Sequence, residues 1–356
     1  MDEPRPRRRP RYPGRNPRRF EEKYKERDPA RFPETVAKVV ASGKTPAGTH
    51  RPVLVAEVLD ALRPAPGLVA VDATLGYGAH AAALLPRLLP GGRLVGLDAD
   101  PVELPRTEAR LRDLGFGEEV LTVRRSSFAG LSKVLSGLGL ETVDLLLADL
   151  GVSSMQLDDP ARGFTFREDG PLDMRMNPVR GLSAAQLLAR VSEARLAALL
   201  EENADEPHAA AIARAVVTAR GLRPVDTTAA LADAVRRALS ALPERVRQEE
   251  GDDPVRQTFQ ALRIEVNDEL GALRALLTAL PGCLAPGGRV AILTFHSGED
   301  RLVKKAFQAG ARAGVFSDWS REPVRPGPAE VRANPRARPA KLRWALRAET
   351  GDLPAF

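Results

Sequence analysis

The chain has 356 residues, 43% hydrophobic and 28% charged, enough for one large domain with an insertion or for two domains, with a buried core in either case. No apolar run approaches the roughly 20 residues that span a bilayer, and the arginine- and proline-rich start lacks the apolar stretch of a secretory leader, so no membrane partner and a cytoplasmic location are expected. Cys283 is the single cysteine, which excludes an intrachain disulfide. The histidines at 50, 80, 208 and 296 are too scattered to spell a metal site, so none is expected; a net charge of +6 allows an anionic partner, although most of the excess sits at the two ends.

Residues 1–35 form an arm rich in arginine and proline (Arg7-Arg-Arg-Pro-Arg11, Arg18-Arg19) with no hydrophobic period, and disorder is expected there. Two readings stand for it: a clamp on RNA phosphates, or a solubilising tail. Residues 50–59 have the spacing of a short helix packed on a sheet edge, and His50 is either a site residue or a turn residue.

Residues 68–80 organise the rest. A short apolar run ends in Asp72, a loop with Gly76 and Gly78 follows, and an alanine-leucine helix begins: strand, turn, helix. In an open parallel sheet, ligands bind beyond the carboxyl ends of the strands, where glycines admit the backbone close to the ligand. The next strand, residues 92–98, ends in Asp98, placed for the two hydroxyls of a ribose. The spacing Gly76-x-Gly78-x-x-Ala81 also satisfies a relaxed dinucleotide fingerprint, but a carboxylate at Asp72 suits a cation such as the ammonium of S-adenosylmethionine and would repel a pyrophosphate.

A third strand is predicted at 120–124, with Phe128 just beyond it, either stacked on an adenine or plugging the core beneath the loop. Residues 143–149 are nearly continuous in apolar character, as a strand buried on both faces should be, and end in Asp149 at the crevice. Residues 158–176 mix glycine, proline and charge with Phe164, Phe166, Met174 and Met176, a loop packed by its own side chains that reads as a lid or as a structural loop.

From 183 to 242 the period becomes helical, over 184–202, 209–220 and 227–242, which predicts a compact helical insertion. One long helix is predicted over 254–280, with 257–267 resuming a sheet-covering pattern. Residues 286–295 feed a buried strand that delivers His296 and Ser297 to the same edge as Asp72, Asp98 and Asp149, and residues 341–347 read as a closing edge strand.

Several ordered blocks resemble the bacterial RsmH (MraW) family: Asp72-Ala-Thr-Leu-Gly76, Asp149-Leu-Gly-Val-Ser-Ser154, Gln156-Leu-Asp-Asp159, Arg162-Gly-Phe164, residues 169–176, Thr258-Phe-Gln-Ala-Leu-Arg-Ile264, Phe295-His-Ser297 and Asn334-Pro-Arg-Ala-Arg338. The resemblance runs from about His50 to Arg347. It implies an α/β fold, the Rossmann-like doubly wound sheet of class I S-adenosylmethionine-dependent methyltransferases, with an inserted helical domain. On this plan 36–155 and 255–350 form the methyltransferase domain, and 156–254 the lid loop and substrate-reading insertion. The implied reaction is methylation of the N4 amine of a cytidine in 16S ribosomal RNA of the small subunit. S-adenosylmethionine would be held by Gly78, Ala79, His80, Asp98, Phe128, Asp149 and Gln156. The chain departs from the family pattern at Ala79 and Ala81, where glycine and serine are usual, at Ala204-Asp-Glu-Pro-His208, and at Gly298 in place of leucine.

A cytosine amine is a poor nucleophile, and an acceptor for one of its N–H groups would help it. Asp149 is the first candidate catalytic residue; a backbone carbonyl near Leu150 is the rival, and His296 is a further candidate to orient the base or carry the proton away. Other classes stay open on the sequence: a non-catalytic RNA-binding assembly factor that keeps the fold, a DNA amino methyltransferase, and a dinucleotide dehydrogenase.

Overall fold

The computed structural model describes residues 52–153, 156–157, 159–250 and 253–349. The expectations for the arginine-rich arm and for His50 lie outside the described residues.

Seven strands form one sheet in the order β3-β2-β1-β4-β5-β7-β6. They are β1 (Val69–Asp72), β2 (Arg93–Asp98), β3 (Leu121–Arg125), β4 (Val143–Asp149), β5 (Leu284–Thr294), β6 (Phe316–Trp319) and β7 (Lys341–Arg347). The first five run parallel, and β7 is antiparallel to both β5 and β6. Alternation along the buried strands divides the core. Leu145 and Leu147 of β4 face one side, with helices α1 (Val55–Leu62), α2 (Ala79–Leu88) and α3 (Glu103–Asp113) packed there. Leu146 and Ala148 face the other, under α4 (Leu131–Gly137), α11 (Glu269–Cys283) and α12 (Ser297–Arg312). Helices on both faces of a mostly parallel sheet make the doubly wound architecture, as expected from the sequence.

Between β4 and β5 the chain builds a helical unit with a core of its own: α5 (Ala184–Arg190), α6 (Glu193–Ala204), α7 (Ala209–Leu222), α8 (Thr228–Ala238), α9 (Glu244–Glu250) and α10 (Asp253–Asn267). Ser183 opens α5 with a capping box, its hydroxyl accepting the Gln186 N–H and Gln186 reaching back to the Ser183 N–H.

Five expectations need correction. The helix predicted over 184–202 is two, α5 and α6, because Val191 and Ser192 are extended and the Ser192 side chain caps α6 by accepting the Arg195 N–H. The helix predicted over 254–280 is two helices, because Asp268 takes a left-handed conformation (φ 47°) and turns the chain between α10 and α11. The stretch 257–267 does not cover the sheet: Phe259 and Leu262 enter the helical core, and Leu273, Leu276 and Leu280 of α11 cover the sheet instead. Helix α1 packs on a face of the sheet, against β5 and β7, not on its edge. The strand at 341–347 is not the edge either: β6 pairs outside it, and the four residues Phe316-Ser-Asp-Trp319 were too short and too polar to read as a strand.

Candidate active site

The strand order reverses at β1, which pairs with β2 on one side and β4 on the other, and the acids converge beyond the carboxyl ends of these three strands. Asp72 closes β1 and is 1% exposed. Burial pushes its carboxyl up to about 7, with Asp149 and Asp98 adding to the rise and His80 and the Thr74 N–H opposing it. Asp98 closes β2; its Oδ2 accepts the Gly76 N–H at 2.8 Å and its Oδ1 the Asp100 N–H at 2.9 Å. Burial raises this carboxyl too, against the pull of those two backbone groups. Asp149 closes β4, and its N–H donates to Thr74 Oγ1 at 2.6 Å, tying that strand end to the loop after β1.

His80, on the first turn of α2, is buried and lies across from Asp149, Nε2 to Oδ2 at 3.6 Å, longer than a hydrogen bond. Burial acts to lower the imidazole's pKa, but the Asp149 and Asp72 carboxylates outweigh it and leave it raised. His80 Nε2 and Asp149 Oδ1 are both buried without a hydrogen-bond partner among the described residues. Polar atoms left so are costly in a finished core, and both of these lie at the edge where the strand-end acids converge.

The glycine loop is shaped by close packing. Gly78, at φ 72°, caps α2, and a Cβ there would sit 3.0 Å from Thr107 Cγ2 and 3.1 Å from Leu111 Cδ1. Gly96 in β2 is needed for the same reason, since Leu75 of the loop lies over it, 2.8 Å from where a Cβ would stand. Thr107 Oγ1 donates to the Gly76 carbonyl and Arg110 stacks on the Tyr77 ring, so α3 clamps the loop from outside. Ala79 is the first residue of α2 and is not among the positive-φ positions, so the methyl group there needs no unusual backbone.

Phe128 opens a short 3₁₀ turn (Phe128–Gly130) past β3; it is half-buried and packs on the core below. Gln156 is buried and its side chain is committed: Oε1 accepts the Ser153 N–H at 3.0 Å, and Nε2 donates to Asp100 Oδ2 at 2.8 Å.

Next to β4, the pairing of Asp149 with Leu293 carries β5 out to Phe295 and His296 at the same edge. His296 caps α12, with Nε2 3.3 Å from Glu299 Oε1, while Glu299 Oε2 accepts the Phe295 N–H at 2.8 Å. Glu299 is 2% exposed; burial works against its charge, but His296, the Phe295 N–H and Arg263 hold its carboxyl below the usual range. From the helical unit, Asp205 (φ 51°) reaches Ser297 Oγ at 3.3 Å, so the segment that departs from the family pattern stands beside His296.

Sequence reasoning missed Thr74, Asp100, Arg162 and Glu299. Each acts on a partner distant in sequence or on backbone, and only the short spacings Asp98-x-Asp100 and His296-x-x-Glu299 hinted at them. A groove of about 580 Å³ lined by Ala56, Leu59, Asp60, Arg63, Pro64 and Arg87 contains none of the strand-end acids. Among the described residues no cluster of histidine, cysteine and carboxylates has metal-binding form.

A parallel sheet reversing at β1, an antiparallel seventh strand inserted before the sixth, a glycine loop after β1 and acids after β1, β2 and β4 define a class I methyltransferase. The sequence pattern of the MraW methylase family matches residues 47–348, and the chain belongs to that family. It is 49% identical over 348 residues to the ribosomal RNA small subunit methyltransferase H 1 of Lachnoclostridium phytofermentans, covering 97% of this chain and 94% of that one. The ribosomal RNA small subunit methyltransferase H 2 of Alkaliphilus metalliredigens is 48% identical, with 97% and 99% covered. The corresponding H 1 protein of Agathobacter rectalis is 45% identical, with 98% and 99% covered.

Proposed function

We propose that this protein transfers a methyl group from S-adenosylmethionine to the N4 amine of a cytidine in 16S ribosomal RNA of the small subunit. The observation that carries the reading is the convergence of Asp72, Asp98 and Asp149 at the switch point, with buried and unpartnered atoms on His80 and Asp149. Such an edge gathers carboxyl groups where the donor is cationic, and the kinship with small-subunit ribosomal RNA methyltransferases supports the substrate class.

The bound donor supplies an electrophilic methyl on a sulfonium. In this reading Asp72 faces the donor's ammonium, Asp98 its ribose hydroxyls and Phe128 its adenine, while the Gly78-Ala79-His80 backbone lines its path. Gln156 serves the site by fixing Asp100. Methyl transfer needs alignment more than acid-base help, and positioning can supply about 7–11 kcal/mol of the barrier. Asp149 holds one N–H of the amine through its unpartnered Oδ1, which frees the nitrogen lone pair from the ring. His296, with Nε2 3.3 Å from Glu299 Oε1, stands on the same edge to orient the base. The helical unit between β4 and β5 is the RNA-reading part, and the target base is taken out of its stack to reach the pocket.

The test is transfer of labelled methyl from S-adenosylmethionine to undermethylated small subunits, with nucleoside analysis. N4-methylcytidine at one site is the expected product. Donor binding with no labelled nucleoside would instead establish the non-catalytic assembly factor, and labelling of naked DNA would overturn the substrate class. Asp149→Asn is expected to lower single-turnover transfer at least 100-fold with donor affinity changed no more than about threefold.

A further inference from the structure

Asp100 joins the donor strand to the helical unit. It lies two residues past β2, is 1% exposed, and uses both oxygens fully. Oδ1 accepts the N–H groups of Val102 at 2.8 Å and Glu103 at 3.3 Å, which fixes the turn into α3. Oδ2 accepts Gln156 Nε2 at 2.8 Å and Arg162 Nη1 at 2.9 Å. The Asp100 N–H is itself held by Asp98, so the acid assigned to the ribose and the acid that receives Arg162 share one turn.

On the other side, Arg162 Nη2 donates to the carbonyls of Arg175 at 3.0 Å and Met176 at 2.9 Å. The Met176 N–H donates to Asn267 Oδ1 at 2.7 Å, and Asn267 Nδ2 donates to the carbonyls of Met174 and Arg263. Arg263 grips Glu269 with two hydrogen bonds and lies near enough to Glu299 to stabilise its charge, and Glu299 holds the strand end that carries His296. A hydrogen-bonded path thus runs from the donor end of β2, through segment 159–176, to α10, and Arg263 of α10 carries it on to Glu299 by charge alone.

We propose that Asp100 and Arg162 are positioning residues for methyl transfer: the pair sets segment 159–176 and the helical unit in register with the strand that holds the donor. The proposal rests on the methyltransferase reading above. A buried carboxylate and a guanidinium that is itself bound to two fixed carbonyls have one geometry available, and a misplacement of about 1 Å between reactants is enough to cost 100-fold in rate. Neither side chain needs to touch a ligand for this.

The experiment uses the full chain, undermethylated small subunits and S-adenosylmethionine, with single-turnover rates, S-adenosylhomocysteine affinity by calorimetry, subunit affinity and thermal midpoint measured together. Arg162→Gln is expected to lower the transfer rate 30- to 100-fold while both affinities stay within about threefold. Arg162→Lys, which keeps the charge on Asp100 but not the fork that reaches both carbonyls, is expected to recover part of that rate. Asp100→Asn should resemble Arg162→Gln. Wild-type protein that transfers no methyl would sink the functional reading itself. Wild-type protein that transfers while Arg162→Gln matches its rate, or loses donor affinity in proportion to rate, would overturn the positioning role alone. So would failure of all three variants to fold at the assay temperature, since the pair would then be a folding element.

Discussion

The chemistry of Asp72 depends on its surroundings. Its carboxyl is raised from 3.8 to about 7 by burial, so the native state favours the protonated form. That preference contributes stability in full below the unfolded value and loses it as pH rises through about 7; His80, raised as well, acts in the same direction. Unfolding of the ligand-free protein should therefore become easier between pH 5 and 7.5, and Asp72→Asn should flatten that slope in a denaturant series. With the donor's ammonium against Asp72, as proposed above, donor binding has the opposite dependence, because the ammonium prefers the ionised acid. S-adenosylhomocysteine affinity is expected to rise roughly five- to tenfold from pH 6 to 7.5, a range in which its own α-amino group stays largely protonated. Asp72→Asn should remove the rise and weaken binding about 10-fold or more at the upper end, as befits a lost charge-assisted hydrogen bond. A wild-type profile that falls over the same range would rule out Asp72 as the ammonium's partner.

Among the elements, segment 159–176 behaves as part of the helical core. Phe164 and Met174 are buried in it, Phe166 meets Phe259 edge to face at 5.3 Å, and the N–H groups of Leu172 and Met174 are bonded to Asp226 and Arg162. Slow amide exchange at Leu172, Met174 and Met176 is expected without any ligand, and Phe164→Ala should cost about 3–5 kcal/mol. Rapid exchange at all three would restore the mobile lid that remains one of the sequence's two readings. The contrast shows what a linear pattern holds. Strands β1, β2 and β4 were legible because an apolar run ending in an acid is a local signal. Strand β6 was not, having only four residues with Ser317 and Asp318 exposed, and the break at Asp268 was hidden in an unbroken helical period. Asp98 could be picked by its place at a strand end. Asp100 and Arg162 could not, for they meet across 62 residues of sequence.

At the scale of the molecule, positive charge belongs to the full chain, +6 in net terms. On the proposed function, binding to small subunits should weaken by an order of magnitude or more between 50 and 200 mM salt, read from the slope of log affinity against log salt; a flat slope would show that phosphate contacts contribute little. The helical unit has another consequence, set by where it interrupts the sheet. Strand β4 must wait for β5 until roughly 130 intervening residues have been made and closed into a loop. During synthesis β1 to β4 emerge first, and β4, apolar on both faces, stands as an unpaired edge while the helices are translated. A nascent chain that must shield such an edge has a window for aggregation, and folding of this protein should be slow and responsive to translation rate and chaperones, however stable the finished sheet.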